Sequence, residues 1–261
     1  KYYQNMLNFL DYMELRSENG LVVREELGGW CLGDWCSPGN KNLIPEPFVN
    51  TYFLIKAFKQ VIEISEVLDK ETAELKARLE SVVNSFKKAY YDEATGTFCS
   101  SLEASDAYAF DIGLGDERTL KAIVDKYEEL GEFDTGIFGT DIVTRVLFEY
   151  GRPDLAYKLL TADEPYGFGK WMKQDATTFW EYWYDRRSHN HPMFGAVVGD
   201  FYDYLLGIRQ EEGSAGYRNL VISPVTVLQI SRLSGARELP CGRVAVAYER
   251  EGEKTVLTVT L

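Results

Sequence analysis

Residues 47–90 read PFVNTYFLIKAFKQVIEISEVLDKETAELKARLESVVNSFKKAY, and their spacing decides the fold class. In the first half, Phe48, Tyr52, Ile55, Phe58 and Ile62 recur every three or four residues, the period that stacks side chains on one face of an α-helix. In the second half, Leu75, Leu79, Val82, Phe86 and Tyr90 do the same, with charges on the opposite face. The spacing predicts helices over 47–68 and 71–90. Two helices joined by so few residues pack as antiparallel neighbours, a helical hairpin.

The same period recurs on both sides. Residues 1–16 carry Met6, Phe9, Leu10 and Met13; residues 117–130 carry Leu120, Ile123, Val124, Tyr127 and Leu130. Residues 140–150 form another amphipathic run, stopped by Gly151, and a short helix follows Pro153. A last helix is predicted from about 191 to 207, closed by Gly207. Between the helices lie long segments rich in Gly, Trp and Phe: Gly28–Pro47, Gly131–Gly139 and Thr161–Asp185. Long ordered loops in a helical domain tend to carry function. After Gly213 the period changes to two. Val244, Val246 and Tyr248 alternate, Glu251-Gly252-Glu253 makes a turn, and Val256, Leu257, Val259 and Leu261 follow, which predicts a β-hairpin. The expected architecture is mainly α over residues 1–212, with a small β region over 213–261. Lys1-Tyr2-Tyr3-Gln4 reads as mid-helix and the chain stops within a strand, so it is expected to be an internal piece of a longer protein.

Composition narrows the function. Of 261 residues, 45% are hydrophobic and 26% charged, enough apolar material for a sizeable core. The formal net charge of −13 disfavours a nucleic-acid partner, since phosphates call for a basic face. A neutral ligand fits better, and the 17 tyrosines and 5 tryptophans supply rings that stack on sugars. No apolar run reaches the length of a membrane-spanning helix. The four cysteines, Cys31, Cys36, Cys99 and Cys241, form no C-x-x-C pair, so neither a zinc nor a redox motif is expected. The spacing of Cys31 and Cys36 admits a bridge without requiring one. Walker A, G-x-S-x-G and dinucleotide-binding fingerprints are missing, and no cofactor is expected.

Three segments could carry chemistry. In Thr177-Thr178-Phe179-Trp180-Glu181-Tyr182-Trp183-Tyr184, one carboxylate sits among five large aromatics. An apolar wall would desolvate Glu181 and make it a better base, although an aromatic core strand with Glu181 facing solvent gives the same pattern. Ser188-His189-Asn190-His191 contains the two histidines of the chain. They could ligate a metal, but no further ligands stand nearby in sequence, so a hydrogen bond from one of them to a sugar hydroxyl is the stronger reading, with Asn190 partly a helix cap. In Gly28-Gly29-Trp30-Cys31-Leu32-Gly33-Asp34-Trp35, a carboxylate stands beside an indole, a common way to hold a sugar; an Asx-turn explains it as well.

In this order, with Thr135-Gly136-Ile137-Phe138-Gly139-Thr140, Asp154-Leu155-Ala156-Tyr157, Phe194-Gly195, Gly216-Tyr217-Arg218 and Ile222-Ser223-Pro224, these segments resemble the bacterial α-L-rhamnosidases of glycoside hydrolase family 78. The resemblance covers nearly the whole chain. It implies an (α/α)₆ barrel of the six-hairpin glycosidase type, here partial, followed by the start of a β-sandwich. It implies hydrolysis of terminal α-L-rhamnosyl residues with inversion, in which one carboxylic acid protonates the leaving oxygen and a second carboxylate activates water. Glu181, in the W-E-x-W motif, is then the base, with Asp34, Trp35, Trp180, Trp183 and His191 lining the sugar site and no metal. The family's general acid stands in a D-E-R-x-G-W segment. Glu26-Leu27-Gly28-Gly29-Trp30 lacks that framing, which places the acid outside this chain. Asp175 stands where the family has glycine. The competing readings are a six-hairpin glycosidase for another sugar, a non-catalytic sugar-binding relative and, more remotely, a metal enzyme built on His189 and His191.

Overall fold

A computed structural model describes residues 2–26, 28, 31–40, 43–252 and 254–261, with the side chain of Asn40 excepted. Lys1 of the opening helix, Leu27, Gly29 and Trp30 of the glycine–tryptophan segment, and Glu253 of the predicted turn lie outside the described residues. The chain divides into two compact units. The first is Lys1–Glu129 with Asp134–Ile142, and the second is Leu130–Phe133 with Val143–Leu261.

The first unit is built on the predicted hairpin. Helix α1 (Tyr3–Glu14) leads through a two-residue-per-strand hairpin, β1 (Ser17–Glu18) and β2 (Leu21–Val22), to α2 (Glu46–Val67) and α3 (Ala73–Tyr90). Helix α2 is buried beyond a single stripe, as a helix at the centre of a bundle must be. Its Phe48 ring lies 4.7 Å from Phe86 of α3, and Tyr52 lies 4.8 Å from Tyr108. Arg78 of α3 donates to Asp11 of α1 at 2.7 Å and also pairs with Glu14, fastening the opening helix to the hairpin. A second small hairpin follows, β3 (Tyr91–Asp92) and β4 (Thr97–Phe98), then α4 (Ser105–Asp111) and α5 (Glu117–Leu130). Helix α4 escapes the apolar period because Ser105 and Asp106 share its buried positions with the small Ala107 and Ala109 and with Tyr108. The carboxylate of Asp106 accepts the Phe98 N–H at 2.7 Å and the Ser105 hydroxyl donates to the Phe98 carbonyl at 2.7 Å.

Helix α6 (Ile137–Glu149) enters the second unit at Val143 and is followed by α7 (Pro153–Leu160). The Thr161–Asp185 segment, expected as loop, contains the six-residue helix α8 (Phe168–Lys173), which buries Trp171. The single helix predicted over 191–207 is three short pieces instead: a 3₁₀ turn at 193–196, α9 (Val197–Asp200) and a wide π turn at 201–205, closed by Leu206 N–H on the Phe201 carbonyl at 2.8 Å. Gly195 and Gly199 both lower helix propensity there, and Gly195 abuts the Phe179 ring, where an added Cβ would come within 3.2 Å.

The strands begin slightly earlier than the change of period suggests. Strand β5 (Ile208–Gln210) pairs antiparallel with β6 (Leu220–Ile222). Strands β7 (Arg232–Leu239), β8 (Gly242–Glu251) and β9 (Lys254–Thr260) form an antiparallel meander. Val244, Val246 and Tyr248 alternate inward on β8, and Val244 and Val246 pack on Leu206 and Ile208. The β8–β9 register pairs Glu251 with Lys254, so the predicted hairpin is present.

Candidate active site

In the second unit, residues 178–191 run out and back as a closed loop. His191 N–H donates to the Phe179 carbonyl at 2.9 Å, Glu181 N–H to the Ser188 carbonyl at 2.9 Å, and the Thr178 hydroxyl to the His189 carbonyl. Glu181 therefore stands opposite Ser188, and Trp180 opposite His189. Glu181 is half-buried, and its Oε2 accepts the Ser188 N–H at 3.3 Å. Both its neighbours, Trp180 and Tyr182, are buried, while Glu181 itself stays partly exposed.

The two indoles of W-E-x-W face protein. Trp183 is 1% exposed. It stacks on Phe133 at 5.8 Å, packs on Phe194 at 4.5 Å, and its carbonyl accepts the Trp171 Nε1–H at 3.0 Å. Trp180 is 5% exposed and lies between Trp171, at 5.7 Å and 28°, and His189, at 4.3 Å and 12°. Expected as sugar-facing rings, they form the wall behind Glu181, because aromatics this large contribute most when buried against one another. His191 is half-buried, and its Nδ1 has no hydrogen-bond partner among the described residues. His189 pairs with Asp185 at 2.9 Å. Among the described residues no three His, Cys, Asp or Glu side chains come together as a metal site. Asp175 adopts φ 59°, the left-handed region that glycine enters freely and Asp tolerates better than most residues. That accommodates the one departure from the family pattern in this loop.

In the first unit, Asp34 is fully buried, and its carboxylate is spent on backbone rather than left for a ligand. Its Oδ2 accepts the Gly136 N–H at 2.8 Å, and its Oδ1 accepts those of Phe138 and Gly139, each at 3.0 Å. The Trp35 carbonyl takes the Ile137 N–H at 2.9 Å. Four consecutive amides at the start of α6 are thus satisfied by a segment about a hundred residues upstream, a cap made by tertiary contact. This explains the glycines of the T-G-I-F-G-T segment. A Cβ at Gly136 would fall 2.3 Å from the carbonyl oxygens of Asp34 and Trp35, and one at Gly139 would fall 2.5 Å from Asp34 Oδ2. Thr135 and Thr140 share a hydroxyl–hydroxyl bond of 2.8 Å that closes the turn.

Burial pushes the Asp34 carboxyl up to about 6, and the three amide donors pull against that rise. Glu103, which the sequence reading passed over, is also buried. Its Oε2 accepts the Ile44 N–H at 3.0 Å, and burial pushes it up to about 7. Trp35 is half-buried; Cys31 and Cys36 are not bridged to each other. Ser188 and Asp185, which hold the Glu181 loop, were equally silent in sequence; the i, i+4 spacing of Asp185 and His189 was the available signal.

Comparison with known proteins matches residues 1–205 to the bacterial alpha-L-rhamnosidase six-hairpin glycosidase domain and residues 207–261 to the bacterial alpha-L-rhamnosidase C-terminal domain. Two alpha-L-rhamnosidases of Formosa agariphila are 26% and 29% identical, over 100% and 87% of this chain and 29% and 27% of their own length. The chain thus spans less than a third of the curated relatives it matches. Among solved structures, the Streptomyces avermitilis alpha-L-rhamnosidase complexed with L-rhamnose superposes with a TM-score of 0.88 at 21% identity, over 99% of this chain and 26% of that one. The Dictyoglumus thermophilum alpha-L-rhamnosidase gives the same score and identity, over 100% of this chain and 30% of its own. With a mainly α body, a terminal β segment and a family model matching most of its length, the chain belongs to the bacterial α-L-rhamnosidase six-hairpin glycosidase family.

Proposed function

We propose that this chain supplies the base-bearing part of an enzyme that removes terminal α-L-rhamnosyl residues from carbohydrate substrates with inversion, and that Glu181 is the base. One observation carries the reading. Glu181 is a half-buried carboxylate between two buried aromatic residues, on a loop whose two arms are hydrogen-bonded to each other at Glu181 and at the residues before it. A base must abstract a proton from a water placed on one face of the sugar, so it has to be held still and stay reachable. The imidazole of His191, on the returning arm of the same loop, is a sugar contact in this reading. Trp180 and Trp183 back the base, and Asp34 shapes the turn after Thr135. The second carboxylate, standing roughly 6.5–9.5 Å from the base in an inverting glycosidase, comes from outside these 261 residues.

The test is Glu181→Gln in the full-length enzyme. Loss of a general base lowers kcat by about 10²–10⁴-fold, with KM little changed because the amide keeps the shape of the carboxyl. Near-normal turnover removes Glu181 from the mechanism. The first sugar released by the unmodified enzyme, followed by proton NMR before mutarotation, is expected as the β anomer. Initial release of the α anomer would mean retention.

A further inference from the structure

The H-x-H segment is left half-used by this mechanism. His189 has neither the environment of a metal ligand nor the burial of a core residue. It is half-exposed, it lies flat on Trp180 with ring centroids 4.3 Å apart and planes 12° from parallel, and its Nε2 is 2.9 Å from Asp185 Oδ1 at the tip of the same loop. The pairing of the two arms gives this stack a consequence. Trp180 and Glu181 are consecutive on the outgoing arm, and Ser188 and His189 are consecutive on the returning one. The Trp180–His189 ring pair therefore lies next to the Glu181–Ser188 pair, which consists of the 2.9 Å backbone bond and the 3.3 Å bond from Ser188 N–H to the Glu181 carboxylate. On its other face Trp180 is packed against Trp171 of α8, a fixed core ring. His189 closes the outer face. Trp180 and His189 both border an open pocket of about 410 Å³, together with Gln174, Asp175, Thr177 and Asp185. Without the imidazole, more of the indole would open to water in that pocket, and the returning arm would lose its ring stack on the outgoing one.

We propose that His189 is a positioning residue for Glu181. Its ring clamps Trp180 against Trp171, and Asp185 fixes the ring's orientation, so Ser188 is kept in place to hold the carboxylate. The inference rests on Glu181 being the base. It assigns His189 no contact with substrate and no proton transfer.

The experiment uses the full-length enzyme, an aryl rhamnoside and four variants: His189→Ala, His189→Phe, Asp185→Ala and Glu181→Gln. A misplacement of a reacting group by about 1 Å costs up to about 10²-fold in rate, so His189→Ala is expected to lower kcat by about ten- to a hundredfold with KM within about twofold. His189→Phe keeps a flat ring on Trp180 and is expected to recover most of that loss. An exposed ion pair is worth at most about 1 kcal/mol, so Asp185→Ala is expected to cost no more than about fivefold. In the Glu181→Gln background, adding His189→Ala is expected to change nothing further, because a residue that acts only through the base has no effect once the base is gone.

Unchanged kcat in His189→Ala overturns the inference and leaves the base assignment standing if Glu181→Gln is inactive. A rise in KM with kcat intact also overturns it and makes His189 a substrate contact. A fall in kcat matched by an equal fall in folded protein, measured by near-ultraviolet circular dichroism, overturns it in favour of a purely structural role. Normal turnover in Glu181→Gln removes the reading on which the inference rests.

Discussion

At the scale of single residues, two buried carboxyls of the first unit make a pH-dependent contribution that can be isolated. Asp34 and Glu103 both stand above their ordinary values, at about 6 against 3.8 and about 7 against 4.5, with burial the leading cause in each. A carboxyl raised by folding holds more protons in the native state than in the unfolded chain between those two values. Native stability therefore falls as pH rises through that window, and the loss is complete above the folded value. For Glu103 the window runs from about 4.5 to about 7. Glu103→Gln keeps an oxygen to accept the Ile44 N–H and removes the ionisation. Denaturant titrations at pH 5 and pH 7.5 are expected to show the unmodified chain losing more stability across that interval than the variant. Equal losses would mean that Glu103 is not raised by folding.

Among the elements, the start of α6 and the short helix α9 make a controlled pair. Gly136→Ala drives a Cβ into two backbone carbonyls that are themselves held by the Asp34–Trp35 segment, so neither side can yield cheaply. Overpacking of this kind costs about 1–3 kcal/mol or more. Gly199, inside α9, has open space where a Cβ would go and a backbone that accepts one. There, Gly→Ala is expected to be neutral or to stabilise by about 0.4–1 kcal/mol, mainly by restricting the unfolded chain. Both are read as shifts in the denaturation midpoint. A Gly136→Ala variant as stable as the parent would show that the cap on α6 can open without cost.

For the molecule as a whole, the decisive quantity is how much of the catalytic pair this chain carries. An inverting glycosidase needs an acid as well as a base, and an unactivated glycoside loses its leaving oxygen slowly without protonation. The 261-residue chain is expected to leave a natural rhamnoside intact under conditions in which the full-length enzyme hydrolyses it. Robust hydrolysis by the short chain would place the acid inside it, with Glu25 and Glu26 the first candidates for substitution.

The sequence by itself determined where the principal helices run, that the chain turns to strands near its end, and which loop presents the candidate base. Each of these is a local property. Apolar residues every three or four positions mark 47–68 and 71–90, where the structure has helices over 46–67 and 73–90, alternation marks β8, and Glu181 is visible because it is one carboxylate in a run of rings. Helix α4 goes unmarked because Ser105 and Asp106 share its buried positions, and 191–207 reads as one helix because its apolar period runs on through the glycines at 195 and 199. Only the tertiary structure decided the surroundings of Asp34, Trp180, Trp183 and His189. Asp34 caps a helix about a hundred residues away, and no spacing records such a partner. The same side chains would read identically with Trp183 turned to a sugar or, as here, into a cluster of Phe133, Trp171 and Phe194. The choice rests on apolar area removed from water, and that depends on what the rest of the chain brings alongside.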